Sequence, residues 1–203
     1  MKRLKINGAA LASSMIKSSF DKIDYQDCYC ISVSDPHHYS VDYLAGLFFV
    51  SGPEWINTLL ALRNFIVSIF GLKGGKIDKT RQLVPSVYYP KGSRIALFKV
   101  CDRNDHEIVM GEDDRHLNLR TSVRIDKSPD TDRIKLYSFT IVHYNNIWGR
   151  LYFLPVKPFH QLIIKALFNH LEILDSIIEL IFNDKAAMNL SIAIPEETYS
   201  SFF

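Results

Sequence analysis

From Arg94 to Tyr144 the hydrophobic positions recur at every second residue, which is the period of a β-strand. Short groups rich in Asp and Asn, which favour turns, separate the runs. Because parallel strands need long crossover connections, such short links predict an antiparallel meander. The predicted strands of this region are Arg94–Cys101, Glu107–Gly111, His116–Ile125 and Arg133–Tyr144.

The run His116–Ile125 has the clearest alternation. Its odd-numbered positions, beginning with Leu117, are apolar apart from one threonine, and its even-numbered positions are polar. We therefore expect one face of this strand in the core and the other in water. His116 and Arg120 lie on the polar face and are predicted to be exposed to solvent.

The next run, Arg133–Tyr144, is apolar on both sides. Leu136 and Val142 share one side. The other side carries Tyr137, Phe139 and Ile141. We expect this strand to be covered on both faces or to face a partner.

One strand and two helices are predicted before the meander. The strand is Asp27–Ser34, and the first helix is the short segment Val41–Phe49. The segment Ser51–Glu54 has the spacing of a capping box and predicts the start of another helix. Gly71 ends that helix, and a Lys-rich loop is predicted up to Pro90. The buried face of the helix is predicted to consist of Trp55, Leu59, Leu62, Ile66 and Ile69.

In the last third of the chain, Gly149–Val156 is interpreted as a strand that leads through Pro158 into a helix ending near Phe182. Most of the helix circumference is apolar, so other structure is expected to wrap it. A curved antiparallel sheet around one long helix would meet that requirement. The polar stripe of the helix consists of Gln161, Lys165, Asn169, Glu172, Ser176 and Glu179.

Composition limits the function classes. The 203 residues are enough for one domain with a substantial core. With 24 Lys and Arg against 22 Asp and Glu, and no block of like charges, the chain lacks the basic surface typical of nucleic-acid binders. Charged residues interrupt its most apolar stretches, so no membrane span is predicted.

Residues 1–24 are predicted to be an N-terminal arm, followed by a single domain over residues 25–203. The arm begins with a basic group, as signal peptides do, but polar residues interrupt its apolar part. A mobile or loosely packed arm is therefore expected. The cysteines Cys28, Cys30 and Cys101 lack the spacing of a zinc site. Their odd number favours reduced thiols in a cytoplasmic protein.

The order of strand, helices, meander and long terminal helix resembles the helix-grip fold of the START-like (SRPBCC) superfamily, an α+β class. More closely, the chain is similar to a bacterial domain family of unknown function in that superfamily. The similarity rests on Pro53-x-Trp55, Leu62-Arg63, Gly71-Leu72-Lys73, Gly111-Glu112-Asp113-Asp114-Arg115-His116-Leu117, Gly149-Arg150-Leu151-Tyr152 and Pro158-Phe159-His160.

The resemblance implies an apolar or amphipathic ligand held between the sheet and the final helix. Some related modules follow an NAD(P)-binding, epimerase-like domain, so such a domain is a possible partner. The chain itself lacks the Gly-rich dinucleotide fingerprint, and no cofactor is predicted. Gly71–Lys76 fails the spacing of a phosphate-binding loop, and His37 and His38 lack accompanying metal ligands, so no metal is predicted either.

The predicted ligand-binding residues are Arg150, Tyr152, His160, His143 and Trp55. His160 is placed in the first turn of a helix, where the macrodipole favours a neutral imidazole, although a structural role at the junction is the stronger interpretation. Arg150 and Tyr152 share one face of the predicted strand, so Arg150 meets either an anion or solvent. His143 shares a side with three apolar residues, and Trp55 is expected mainly in the core.

Three functions remain open. The first is a small-molecule binding module with one or two polar anchors. The second is a cyclase or dehydratase in which His160 or His143 acts as general acid or base, although no nucleophile motif is present. The third is an interaction module whose sheet face, formed by Tyr137, Phe139 and Ile141, docks a partner or a second copy, giving a homodimer.

Overall fold

The computed structural model has six described strands: β1 (Tyr25–Ser34), β2 (Arg94–Ile95), β3 (Phe98–Arg103), β4 (Glu107–Asp113), β5 (Leu117–Lys127) and β6 (Arg133–Tyr144). They form one sheet in the order β1-β6-β5-β4-β3-β2, in which each neighbouring pair is antiparallel. The antiparallel meander is therefore confirmed, as is the mixed α+β class. The single strand predicted over Arg94–Cys101 is wrong, because the chain turns after Ile95 and β2 pairs with β3.

The structure describes residues 8–35, 38–50, 55, 61, 88–127 and 133–192. Its helices are α1 (Gly8–Ala12), a 3₁₀ helix (Met15–Ser19), α2 (Val41–Val50) and α3 (Ile147–Ile192). The predicted helix at Val41–Phe49 is confirmed. The helix predicted from Ser51 and the loop up to Pro90 lie outside the described residues, apart from Trp55, Ala61 and the last three loop positions; the Gly71–Lys76 segment and His37 are also outside them.

Helices α2 and α3 cover one face of the sheet, which we call the helix face. Helix α3 follows β1 in the same direction, since Phe153 contacts Tyr25 near the start of β1 and Asp175 accepts a hydrogen bond from the Ser34 amide at its end, at 2.9 Å. The core between the layers is apolar. Its largest side chains include Tyr29, Phe48, Ile108, Met110, Leu136 and Phe168.

The strand predicted at Gly149–Val156 is wrong, because α3 begins at Ile147 and runs through Pro155 and Pro158 for 46 residues. Short apolar runs fit both periods, and here the buried or partly buried positions Gly149, Tyr152, Phe153 and Val156 recur at the three- and four-residue spacing of one helix face. The helix starts where the side chain of Asn146 accepts a hydrogen bond from the Gly149 amide at 3.2 Å.

The expectation that other structure wraps α3 is also wrong for its outer side. Among the described residues, the sheet and the short helix α2 contact α3 from one direction, and apolar side chains on the opposite side of α3 keep large exposed areas. These side chains are Leu151, Leu154, Leu162, Ile173 and Ile177, exposed by 43% to 64%.

The expected loose N-terminal arm is instead packed from residue 10 onward. Ile16 is 0% exposed, and it joins Leu11 against Phe139 and Ile141 on the sheet face opposite α3. We call this the arm face. Strand β6 is thus covered on both faces, as one of its two interpretations expected. The docking surface proposed for Tyr137, Phe139 and Ile141 is occupied by the chain's own arm.

The arm also covers part of the predicted wet face of β5. Arg120 is only 14% exposed, forms two hydrogen bonds with Asp113 and lies 5.0 Å from the ring of Phe20. The hydrogen bonds with Asp113 raise the pKa of Arg120 and outweigh the opposite effect of its burial. Partly buried His116 pairs with Asn146 at 3.0 Å. The prediction that Arg120 is exposed to solvent is therefore wrong, because Asp113 and the arm cover its side chain.

Candidate functional site

A short row of polar side chains crosses the helix face. Asp27 of β1 lies directly opposite Thr140 of β6, which lies directly opposite Thr121 of β5. All three are buried, with exposures of 6%, 1% and 4%. Apolar groups flank the row on the same face, so these polar atoms lie in an environment where each needs a hydrogen-bond partner.

Strand periodicity explains why an acid is placed here. Side chains two residues apart share a face, so Asp27 points to the same side as Tyr25 and Tyr29. Tyr29 belongs to the core beneath α2 and α3, and Tyr25 contacts Phe153 of α3 at 4.9 Å between ring centroids. Asp27 is therefore held in the interior by the alternation that builds the core.

Tyr25 of β1 and two residues of α3, His160 and Gln161, surround the acid. Tyr25 donates a hydrogen bond from its hydroxyl to Oδ2 of Asp27 at 2.6 Å. Gln161 donates from Nε2 to that hydroxyl at 3.0 Å. His160 brings Nε2 to 3.4 Å from the same Oδ2, an ion-pair distance at which the two groups are not aligned as a hydrogen bond.

Three buried atoms of this group lack a hydrogen-bond partner among the described residues: Asp27 Oδ1, Thr140 Oγ1 and His160 Nε2. We call them the open polar atoms. The neighbouring Thr121 differs, because its hydroxyl donates to the carbonyl oxygen of Phe139 at 3.0 Å. A buried polar atom without a partner costs about 1–3 kcal/mol, so the site is suited to a molecule that supplies partners.

The tyrosine beside the acid is held as a hydrogen-bond donor. Burial raises the pKa of Tyr25, and its hydrogen bond to Asp27 raises it further. The phenol consequently stays protonated at neutral pH and continues to donate to Oδ2. This leaves Oδ1, on the other side of the carboxylate, as the acceptor available to a ligand.

His160 lies inside α3 and not in its first turn. It is about three and a half turns from Ile147, so the macrodipole argument does not apply to it. It lies four residues before buried Ile164, on the stripe of α3 that faces the sheet. Its side chain is 17% exposed, while Nε2 is shielded from solvent, so the ring extends from the surface to the polar row.

The structure separates His143 from His160. His143 lies on the arm face, where Nδ1 is 3.1 Å from Oδ2 of Asp24 and the ring is 6.1 Å from that of Phe20. Asp24 also accepts a hydrogen bond from the Tyr144 amide at 2.8 Å. Burial opposes ionisation of Asp24, yet the hydrogen bonds from the Tyr144 amide and Lys22, with the nearby charges, leave its pKa lowered. His143 thus helps to fix the arm.

The other predicted ligand-binding residues do not join the polar row. Arg150 is exposed in the first turn of α3, which agrees with the interpretation of a solvated arginine. Tyr152 is buried in an apolar group with Leu117 and Phe153, and the strand face that it was predicted to share with Arg150 does not exist. Trp55 is 40% exposed, which contradicts its predicted place in the core.

Sequence reasoning identified His160 but missed its partners. The sequence pattern places Asp27 at the start of a strand. Asp27 is two residues from Tyr29, so both side chains point to the core face. Thr140 is separated from Leu136 and Val142 by even numbers of residues, so its side chain also points to the core face. Gln161 was assigned to the solvent-facing stripe of the last helix, although it reaches Tyr25.

Two sequence blocks behind the predicted family resemblance meet in the structure, away from the polar row. A Cβ atom at Gly149 would come within 2.0 Å of the His116 carbonyl oxygen, so this close approach requires glycine. Asn146 donates to the carbonyl oxygen of Arg115 at 3.1 Å, and Asn145 donates to that of Asp114 at 2.8 Å. These residues position the start of α3 and have a structural role.

Searches of the described portion of the chain found no cluster of three or more His, Cys, Asp or Glu residues suited to a metal ion. Within the same portion, no helix combines the length and the apolar character needed to cross a membrane.

A comparison with protein-family models matched residues 19–167 to the family described as "Protein of unknown function (DUF2867)". The matched region includes β1 to β6 and the first half of α3, and with them every residue of the polar row. Searches of curated proteins and of solved structures found no match to this chain.

Proposed function

Since the chain belongs to that family of unknown function, we propose its role from the site: it binds a small amphipathic molecule between the sheet and α3. The polar end of the ligand meets the open polar atoms of Asp27, Thr140 and His160. The observation that carries the proposal is the presence of these buried atoms in an otherwise apolar interface.

The energetics favour a bound partner. A buried polar atom without a hydrogen-bond partner costs about 1–3 kcal/mol. A ligand that satisfies all three recovers this cost on binding. The protein thus holds a preorganised polar anchor, and preorganisation raises affinity because little has to be reordered.

The apolar end of the ligand has suitable surroundings on either side of the row. Towards the start of α3 lie Phe153, Leu117 and Val142, and towards its middle lie Ile164 and Phe168. Sites for small molecules combine mostly apolar walls with a few polar groups that fix orientation. The polar row and its flanks have this composition.

The architecture supports the same proposal. We propose that the fold is the helix-grip arrangement of START-like proteins, in which ligands lie between the sheet and the last helix. The antiparallel order that places β1 beside β6, with α3 lying along β1, supports this assignment. A cytoplasmic location and a partner with an NAD(P)-binding domain stay predictions.

Fluorescence titration of the full chain with N-phenyl-1-naphthylamine, a neutral apolar dye that carries one N–H donor, tests the proposal. The wild type is expected to bind the dye saturably at one site. His160→Phe replaces the polar ring beside Asp27 by an apolar one and should weaken binding by about tenfold or more, which corresponds to about 1.4 kcal/mol. His143→Phe, the matched substitution on the arm face, should leave binding unchanged. Absence of saturable binding, or equal losses in both variants, contradicts the proposal.

An enzymatic role is the second candidate, favoured by the contact between His160 and Asp27. A histidine beside a buried carboxylate can transfer a proton as a general acid or base, and Asp27 can orient its ring. This role predicts that the wild type converts a bound small molecule to a product with a different NMR spectrum and that His160→Gln binds the molecule without converting it. A binding module leaves the spectrum of the released molecule unchanged in both proteins.

A further inference from the structure

The open polar atoms also restrict the charge of the ligand. Resting on the proposed function, we infer that the site takes an amphiphile whose polar end donates a hydrogen bond and carries no negative charge: an alcohol or a protonated amine. Amphiphiles that end in a carboxylate are rejected. The inference follows from which atoms of Asp27 and its neighbours are already used.

The acid presents an acceptor and not a donor. Oδ2 of Asp27 already accepts from the hydroxyl of Tyr25, and Oδ1 is the open atom. A carboxylate accepts hydrogen bonds only, so the ligand atom that meets Oδ1 must donate. Thr140 adds a hydroxyl that can donate or accept beside it, since its residue lies directly opposite Asp27 in the sheet.

Charge acts in the same direction. Among the described residues, His160 is the basic side chain that comes within ion-pair distance of Asp27, and Oδ1 lies on the far side of the carboxylate from the Tyr25 contact. An anionic ligand would place a second negative charge against a carboxylate that is 94% buried. Like charges in a buried site repel strongly, so binding of an anionic end is disfavoured.

An alcohol and an amine share the required donor and differ in how they meet the acid. A hydroxyl donates to Oδ1 and can accept from Thr140 or His160. A protonated amine donates and also neutralises the charge of Asp27, which strengthens its hydrogen bonds. Both satisfy the acceptor that a carboxylate ligand would leave unpaired.

Isothermal titration calorimetry with three probes of equal chain length tests the inference on the full chain: 1-decanol, decylamine and decanoate. Decanol, decylamine or both should bind at least about tenfold more tightly than decanoate at neutral pH, a difference of about 1.4 kcal/mol. Relative affinity of the alcohol and the amine identifies which donor the site prefers.

Asp27→Asn provides the variant, because the amide keeps the shape and removes the charge. In this variant, the affinity for decanol or decylamine should exceed that for decanoate by about threefold or less, compared with about tenfold in the wild type. Asp175→Asn is the control: that acid pairs with Ser34 and Arg133 at the other end of β1, and its change should leave the preference intact. Melting curves verify that both variants are folded.

The outcomes separate the inference from the proposal beneath it. Decanoate binding as tightly as the other probes overturns the inference and leaves the binding function standing. Failure of all three probes to bind overturns the binding function. The wild-type series decides between these results even if Asp27→Asn does not fold.

Discussion

Two buried carboxylates on opposite faces of one sheet have opposite surroundings. Glu107 on the arm face is 2% exposed, and both of its oxygens accept hydrogen bonds, from the hydroxyl of Ser14 at 2.5 Å and from the amide of Met15 at 2.9 Å. Asp27 on the helix face is 6% exposed, and only one of its oxygens accepts a hydrogen bond in the described structure.

The difference separates a structural acid from a candidate binding acid. Glu107 anchors the 3₁₀ helix of the arm, and the chain supplies its partners from its own N-terminal region. Asp27 has a hydroxyl and an imidazole on one side and an open acceptor on the other. Burial alone therefore does not distinguish the two acids, and the open acceptor of Asp27 is the feature that makes it the candidate.

The largest expected effect comes from opening the arm face. Ile16→Ala removes a side chain with 0% exposure and should lower the free energy of unfolding by about 3 kcal/mol, because it creates a cavity beneath the arm. Urea denaturation measures this loss. Affinity for decanol should stay within about twofold of the wild type, since the polar row is on the other face.

Ile173→Ala is the control for that substitution. Ile173 is 56% exposed on the outer side of α3, so its truncation should change the free energy of unfolding by no more than about 0.5 kcal/mol. Equal losses in the two variants would show that the arm contributes little to stability. Loss of decanol binding in Ile16→Ala would show that the two faces are coupled.

A smaller effect is expected from exchanging the two acids for their amides. Glu107→Gln presents an NH₂ group to a hydroxyl or amide donor, and should lower the free energy of unfolding by about 2 kcal/mol. Asp27→Asn removes a charge that is poorly compensated, and its effect on stability should stay within about 1 kcal/mol.

Chemical denaturation and probe binding together read out this exchange. Stability should fall mainly in Glu107→Gln, whereas selectivity against decanoate should fall mainly in Asp27→Asn. If Asp27→Asn costs as much stability as Glu107→Gln, then Asp27 is a structural acid like Glu107, and the contrast between the two faces is lost.

Local periodicity predicted most of the sheet. The bounds of Arg133–Tyr144 were predicted as the structure has them, and β1, β4 and β5 differ by a few residues at their ends. Gly149–Val156 failed because a strand and one side of a helix are equally compatible with eight mostly apolar residues, and two prolines nearby favoured a break. The helix forms there because Asn146 caps it and Tyr152 and Phe153 are buried against the sheet.

The site was less predictable, because its geometry depends on contacts between distant parts of the chain. His160 and Asp27 are separated by most of the sequence, and only the packing of α3 along β1 brings them together. Parity could have placed Asp27 on the core face, but it does not reveal which atoms lack partners. The packing of the arm was not predicted for the same reason, since its contacts with Glu107 and Ile141 join residues that are far apart in the sequence.

The smallest effect, and the sharpest comparison, concerns two threonines that face each other in the polar row. Thr121→Val removes a hydroxyl that donates to the Phe139 carbonyl, so the free energy of unfolding should fall by about 1 kcal/mol. Thr140→Val removes an open polar atom, so stability should be unchanged or rise by up to about 1 kcal/mol.

Binding should show the reverse order, because the hydroxyl of Thr140 is available to the ligand and that of Thr121 is engaged. Calorimetry is expected to find decanol or decylamine affinity about tenfold lower in Thr140→Val and nearly unchanged in Thr121→Val. A variant that gains stability while it loses affinity identifies a residue retained for its ligand. If Thr140→Val loses stability and keeps affinity, the open hydroxyl belongs to the structure of the protein, and the helix face is as self-sufficient as the arm face.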